Sequence, residues 1–512
     1  MAELPAGHCD QAEVAFSQAS DLLMQSARNS LVRRALPAAA RLLAATALLH
    51  GGVSLAEMAR VHQYTVAINP GLTELSVRAC FSGKPPEAIA AESLDAVVVF
   101  VDARIEGSRD RLKPSGALSL RSLPDNACVI YRVDVSQPVM RHDRSGQKIR
   151  RFGRDLTTVA GIWLWRPERL AADEDVEIAF DLPEGISVSA PWRPVASAGR
   201  PTFRLGHAPM DWPAVVAFGR FEERLIRVGG AQLRLGVLDG SPPADVDQMQ
   251  AWITDAARMV AGLYGAFPVP HAQIVVAPNA QGKEPTPWAY VVRGGSPALH
   301  FFVNQRRPIE EFFDDWTATH ELAHLLLPFV NQDDAWLSEG VATYYQNVLR
   351  ARAGRLSVQG AWSRMHAGFL RGRANAPGMT LAQATESMHR GGNYMRVYWH
   401  GAAIVLLADV RLRELTGGSQ SMDTALAALH NCCMQPQRAW SAQELVDKLD
   451  ELTGTGVFGE LYRQHLPSHD FPDLSRLYRE LGLRPDGGNV ELTPEAPSRD
   501  VRDAIMRGGE AG

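Results

Sequence analysis

Several features that mark whole functional classes are missing from this chain. Lysine and arginine total 52 against 57 acids, a net charge of -5, so there is no basic field to hold nucleic acid. No internal repeat, long low-complexity tract, P-loop or Rossmann glycine fingerprint occurs. Cysteine is scarce, five in 512 residues, and Cys432-Cys433 lacks metal-ligand spacing and is left unassigned. The apolar run from Leu42 to Leu49 is eight residues long, too short to span a bilayer, so stable membrane insertion is not expected. Acids are absent from residues 24–56, where Arg28, Arg33, Arg34 and Arg41 precede or begin that run and Ser54-Leu55-Ala56 places small residues where a signal peptidase favours them. Residues 1–56 therefore read as an upstream extension plus a secretory signal, and the protein as exported to the periplasm or the extracellular space. The remainder has ordinary globular composition and length enough for two or three domains with an ample core.

Against that background stands His320-Glu321-Leu322-Ala323-His324. Two histidines four apart on a helix share one face, about one turn apart, and can bind one metal ion. The glutamate between them can take a proton from water beside that metal. Phe312, Trp316, Ala323 and Leu327 recur at helical spacing, Asp314 or Asp315 can cap the start, and Pro328 stops the run. A second helix is expected after Asp334, which can cap it, with Leu337, Val341, Tyr344 and Val348 on one face and Gly354 at its end. Glu339 falls in its first turns, and a short loop with an antiparallel return brings that carboxylate back to the histidines. Two histidines and one carboxylate leave a position open, which is the pattern of a catalytic zinc site.

These motifs resemble the gluzincins, which include aminopeptidase N, and most closely the bacterial glycyl aminopeptidase family. The resemblance rests on His320 to His324, on Trp336-Leu337-Ser338-Glu339-Gly340 and on Tyr398-Trp399-His400-Gly401, and spans roughly residues 289–466. It implies a zinc metallopeptidase with one Zn2+ per chain, His320, His324 and Glu339 as ligands, Glu321 as general base and a peptide as substrate. Tyr398 fits a further role, because a phenol near the metal can donate a hydrogen bond to the oxygen that gains charge; Tyr394 is the competing candidate. His400 stands where the family has lysine and is expected near the site. Gly294 and Gly295 are expected to let an extended peptide approach the backbone. The family's amine-gripping glutamate has no counterpart there; Glu284 is the nearest acid. Aminopeptidase action is thus implied by likeness, and endopeptidase action stays open, as does an inactive, peptide-binding descendant.

The fold expected is multidomain: an N-terminal β-sandwich over residues 57–221, then a thermolysin-like α+β zinc peptidase domain with a helical lobe over 222–470, then a C-terminal tail, 471–512, loosely ordered from Pro485. Runs at 64–68, 96–101, 162–165, 176–180 and 186–189 read as strands of the first domain. Cys80 and Cys128, both in strand-like runs, can form a disulfide in an oxidising compartment or remain two buried thiols. Relatives in the family often add a C-terminal PDZ domain; the stretch from Pro485 is too short to make one, so none is expected. His207, His271, His300, His366, His389 and His430 read as structural or exposed. The sequence does not specify an assembly.

Overall fold

A computed structural model of the chain describes residues 60–507 apart from 93, 115, 138–147, 198, 211 and 435–437; the leader expected at 1–56 lies outside the described residues. Among the described residues, no helix is long and apolar enough to cross a membrane.

The N-terminal part is a β-sandwich. An eight-stranded sheet containing Arg60–Ile68, Glu74–Cys80, Cys128–Asp134 and Glu174–Asp181 faces a four-stranded sheet containing Asp155–Val159 and Val215–Gly219. Tyr64, Val66, Val77, Tyr131, Ile178 and Phe180 from the first sheet share a core with Leu156, Val216 and Phe218 from the second. Strand Val215–Gly219 is buried at every residue. Alternation explains why: Val216 and Phe218 enter the sandwich, while Ala217 turns the other way, against Val275, Ala277 and Phe302 of the following domain. Cys80 and Cys128 are directly opposed on antiparallel strands and are disulfide-bonded. Cys432 and Cys433 are bonded to each other.

Two strand expectations fail here. Residues 95–99 form a short helix, Asp95–Val99, before strand Phe100–Ile105 begins. Ala96 and Val99 reach the core at helical spacing while Val97 and Val98 face outward, so packing overrides the β-propensity of three consecutive valines. Residues 162–165 are also not a strand. A 3-10 turn, Ala160–Ile162, leads into buried Trp163, Leu164 and Trp165, and the Trp165 N–H donates to the Tyr131 hydroxyl instead of to a ladder.

The second domain opens with a five-stranded mixed sheet: β1 (Glu223–Val228), β2 (Ala231–Val237), β3 (His271–Pro278), β4 (Trp288–Val292) and β5 (Ala298–Val303), in the order β1-β2-β3-β5-β4. β4 is antiparallel to β5 and forms the sheet edge. Helix α1 (Val246–Ala261) covers one face through Trp252, Ile253, Ala256 and Val260. Then follow α2 (Thr317–Ala323), α3 (Ala335–Arg352), α4 (Val358–Ala374) and α5 (Tyr394–Leu415). This is a thermolysin-like α+β domain with a helical lobe.

The C-terminal stretch corrects the expectation of a loose tail. Residues 475–481 are helical, Leu483–Asp486 pairs with Asn489–Leu492, and Arg499–Arg507 is a helix. Val490, Ile505 and Met506 are buried, and Arg352 donates to the Ile505 carbonyl, so a few spaced apolar anchors order a polar segment.

Candidate active site

The helical run through the histidines is shorter than its periodicity suggests. Ile309–Asp314 is a separate helix, Asp315 is extended, and its Oδ1 accepts the Thr317 N–H at 2.7 Å to start α2. His320 lies in the last turn of α2, and His324 opens a 3-10 turn, His324–Leu326. Asp334 precedes α3 but does not cap it; its Oδ2 accepts the N–H of Ala442 instead.

Glycine sets the approach of α3 to α5. A Cβ on Gly340 would lie 2.5 Å from the Gly401 carbonyl carbon, and one on Gly401 would lie 2.4 Å from the Trp336 oxygen. Only with both glycines can the helices pack this closely. Glu339 precedes Gly340 and Tyr398 lies one turn before Gly401, so the same contact brings Tyr398 over Glu339. The Tyr398 hydroxyl hydrogen-bonds to Glu339, and its ring stacks on His320 with centroids 5.8 Å apart. Tyr394, the other candidate, meets His389 Nδ1 at 3.2 Å instead.

His320 Nε2 and His324 Nε2 lie 3.3 and 3.5 Å from the same oxygen, Oε2 of Glu339. The outer nitrogens are held as well: His320 Nδ1 meets Gln346 Oε1 at 2.8 Å and His324 Nδ1 meets Ser338 Oγ at 2.9 Å. With those nitrogens donating, both Nε2 lone pairs are turned toward the shared centre. Burial, with His320 and Arg293 adding to it against the pull of Glu339, lowers the His324 pKa to about 4, so its ring is neutral as a ligand must be. Burial pushes the Glu339 carboxyl upward, but His324, His320 and the Tyr398 hydrogen bond outweigh it and the net shift is downward. Glu321 is raised well above the carboxylate range by burial and by Glu339. Its Oε1 is buried with no hydrogen-bond partner, an open acceptor beside the two imidazoles.

Two imidazoles and one carboxylate with ligand atoms within 4.8 Å of one another fit a metal ion, and the donor types suit zinc. Among the described residues the other such group is Cys80, Glu106 and Cys128, whose thiols are already joined. The histidine cluster opens into a cleft of about 80 Å³ walled by Tyr290, Arg293, Phe329 and His389. A larger cavity of about 490 Å³, between α4 and the C-terminal hairpin, holds no metal-binding group; its His366 is hydrogen-bonded to Tyr478 and the Gly487 carbonyl.

Four residues expected near the site are elsewhere. Gly294 and Gly295 do not line the cleft; a Cβ on them would strike Pro213 at 2.2 Å and Trp192 at 2.8 Å, and Trp192 Nε1 donates to the Gly294 carbonyl. They admit the sandwich domain. His400 turns away from Tyr398 toward His465 and Phe471. Glu284 acts electrostatically on Asp315 and is not in the cleft wall. The sequence left Ser338, Gln346 and Arg293 without a role and had His389 as structural or exposed, whereas it lines the cleft. Only Gln346 left a signal, seven residues after Glu339 and so on the same face of α3.

No family model matches the sequence, and no curated protein matches it. Solved structures do. An aminopeptidase N family protein from Idiomarina loihiensis is similar with a TM-score of 0.61 at 13% identity, covering 82% of this chain and 78% of its own. An M1 zinc metallopeptidase from Deinococcus radiodurans has a TM-score of 0.51 at 16% identity, covering 81% and 95%. A mutant two-domain M1 zinc metallopeptidase bound to L-tryptophan has a TM-score of 0.50 at 15% identity, again covering 81% and 95%. At such identities the likeness establishes the shared fold.

Proposed function

We propose that this chain is a zinc-dependent metallopeptidase, with His320, His324 and Glu339 holding one zinc ion. The observation that carries the reading is convergence: a hydrogen-bonded histidine pair, an ionised carboxylate, an open Glu321 acceptor and Tyr398 meet at one cleft. Zinc, when bound, supplies Lewis acidity and makes water nucleophilic at neutral pH. Glu321 accepts the water proton and passes it to the leaving amine. Tyr398 donates a hydrogen bond to the carbonyl oxygen as it gains charge. β4 offers an unpaired sheet edge along the cleft, to which an extended peptide can add as a strand. The presence of Glu321 in this position argues against an inactive scaffold.

Aminopeptidase action is the finer reading, supported by the neighbour named for the aminopeptidase N family and by the amino acid bound to another. A second reading, cleavage at internal bonds, is favoured by one observation: among the described residues Glu321 and Glu339 are the carboxylates in the cleft wall, with no third acid there for a substrate amine. Turnover of matched peptides with free and acetylated N-termini decides. Loss on acetylation supports the first reading, and undiminished internal cleavage supports the second. Absence of zinc from the purified protein sinks both.

The sandwich, residues 57–221, is proposed as a brace for the cleft, since Trp212 packs edge-on against Phe329 at 4.7 Å. Export is proposed as well, and the Cys80–Cys128 bridge supports an oxidising destination.

A further inference from the structure

Arg293 is a cationic cleft residue that neither the metal site nor the proton transfers employ. It follows β4 directly and shares the cleft wall with Glu321, His324 and Glu339. Its Nη2 donates to the carbonyls of His324 at 3.0 Å and Leu327 at 3.2 Å, which pins the guanidinium at the end of the histidine-bearing segment. Those carbonyls satisfy one nitrogen and carry no charge. Among the described residues no carboxylate forms an ion pair with Arg293, and Nε and Nη1 have no protein partner. Glu339, an acid of the same wall, is already taken by both imidazoles and Tyr398.

A partly buried cation without a counter-ion leaves its charge unanswered at the cleft wall, and an arriving carboxylate pairs with it while gaining a planar, forked donor. A protonated amine at the same place would meet like charge. We infer that Arg293 is a substrate-carboxylate site, so that the peptides this cleft takes best present a carboxylate beside the bond to be cut. Two sources share that chemistry: an Asp or Glu side chain, and the carboxylate at a chain terminus. The inference rests on the peptidase reading.

The test uses the full-length mature enzyme loaded with zinc and peptides of one length, each offered with a free and with an acetylated N-terminus. One pair differs by Glu against Gln next to the scissile bond, the other by a free against an amidated C-terminus. At least about a tenfold preference in kcat/KM for the carboxylate is expected in one pair, and that pair identifies the source. R293Q should bring the ratio toward one, while R293K, which keeps the charge and loses the fork, retains part of it. Because each ratio is taken within one protein, a general loss of activity cancels. Ratios within about twofold of one in both wild-type pairs, or a preference that survives R293Q, overturn the inference. Should R293Q not fold, the wild-type and R293K ratios still decide. No hydrolysis of any peptide, free or acetylated, refutes the peptidase reading itself; hydrolysis without preference refutes only the role of Arg293.

Discussion

Two sides of α5 present buried aromatic groups in opposite circumstances. Tyr398 looks toward Glu339 and stacks on His320, whereas His400, two residues on and more than half a turn around, faces His465 and Phe471. His324 and His400 are both driven to the neutral form by burial, to about 4 and about 2. Yet His324 has an acceptor on one ring nitrogen and a carboxylate on the other, while neither nitrogen of His400 has a hydrogen-bond partner. Burial and neutrality are common to both. The difference is direction, since a ligand site requires outer partners that aim the lone pairs at one point.

The most severe way to strain that comparison is Glu321→Gln. It removes the proton acceptor but leaves His320, His324 and Glu339 in place, so kcat/KM should fall about 10²- to 10⁴-fold with zinc content unchanged. Parallel metal analysis and peptide kinetics check this. A variant that retained zinc and wild-type turnover would remove Glu321 from the mechanism. Next comes Tyr398→Phe, expected to lower kcat about 10²- to 10³-fold with KM nearly constant, because the hydroxyl acts on charge that appears only during reaction. An equal loss through KM would instead make Tyr398 a packing residue.

Gln346→Ala sharpens the comparison on the metal side. It strips the acceptor from His320 Nδ1, making that ring more like His400, and should weaken zinc affinity about 10- to 100-fold. Competition with a chelator measures it. Unchanged affinity would mean that α2 alone fixes the ring.

Why some of this was readable beforehand follows from the range of the forces involved. The spacing of His320 and His324 is local helix geometry, and Glu339 follows on the next long helix after a short connection, so sequence carries both directly. Gly340 and Gly401 sit beside Glu339 and Tyr398 for a reason that local pattern does not express: they permit a helix–helix contact between distant segments. Gly294 and Gly295 show the converse. A glycine pair announces close approach but not of what, and the occupant is Trp192 and Pro213 rather than substrate. Asp334 had the sequence of a cap, yet a distant N–H at Ala442 claimed its carboxylate. The tail from Pro485 is polar enough to read as loose, but Ile505 and Met506 find the core.

The smallest effect belongs to His400→Leu, and it tests the other side of α5. Removing two buried nitrogens without partners in favour of an apolar side chain of similar size should alter stability at pH 7.5 by no more than about 1 kcal/mol. Catalysis should not change, since His400 faces away from Tyr398. The pH dependence carries the sharper signal. Burial, with Arg396 and His465 adding to it, lowers the folded pKa from 6.5 to about 2. Between those values the unfolded chain binds the proton and the folded chain does not, so wild-type stability falls as pH drops below 6.5 and is unaffected above it. At pH 5 this term costs the wild type about 2 kcal/mol, which the leucine variant does not lose. Urea unfolding of both proteins at pH 7.5 and pH 5 should therefore show their midpoints diverging in acid, with the variant the more stable. Parallel shifts would place a protonated, partnered histidine at 400 and erase the contrast between the two faces of the helix.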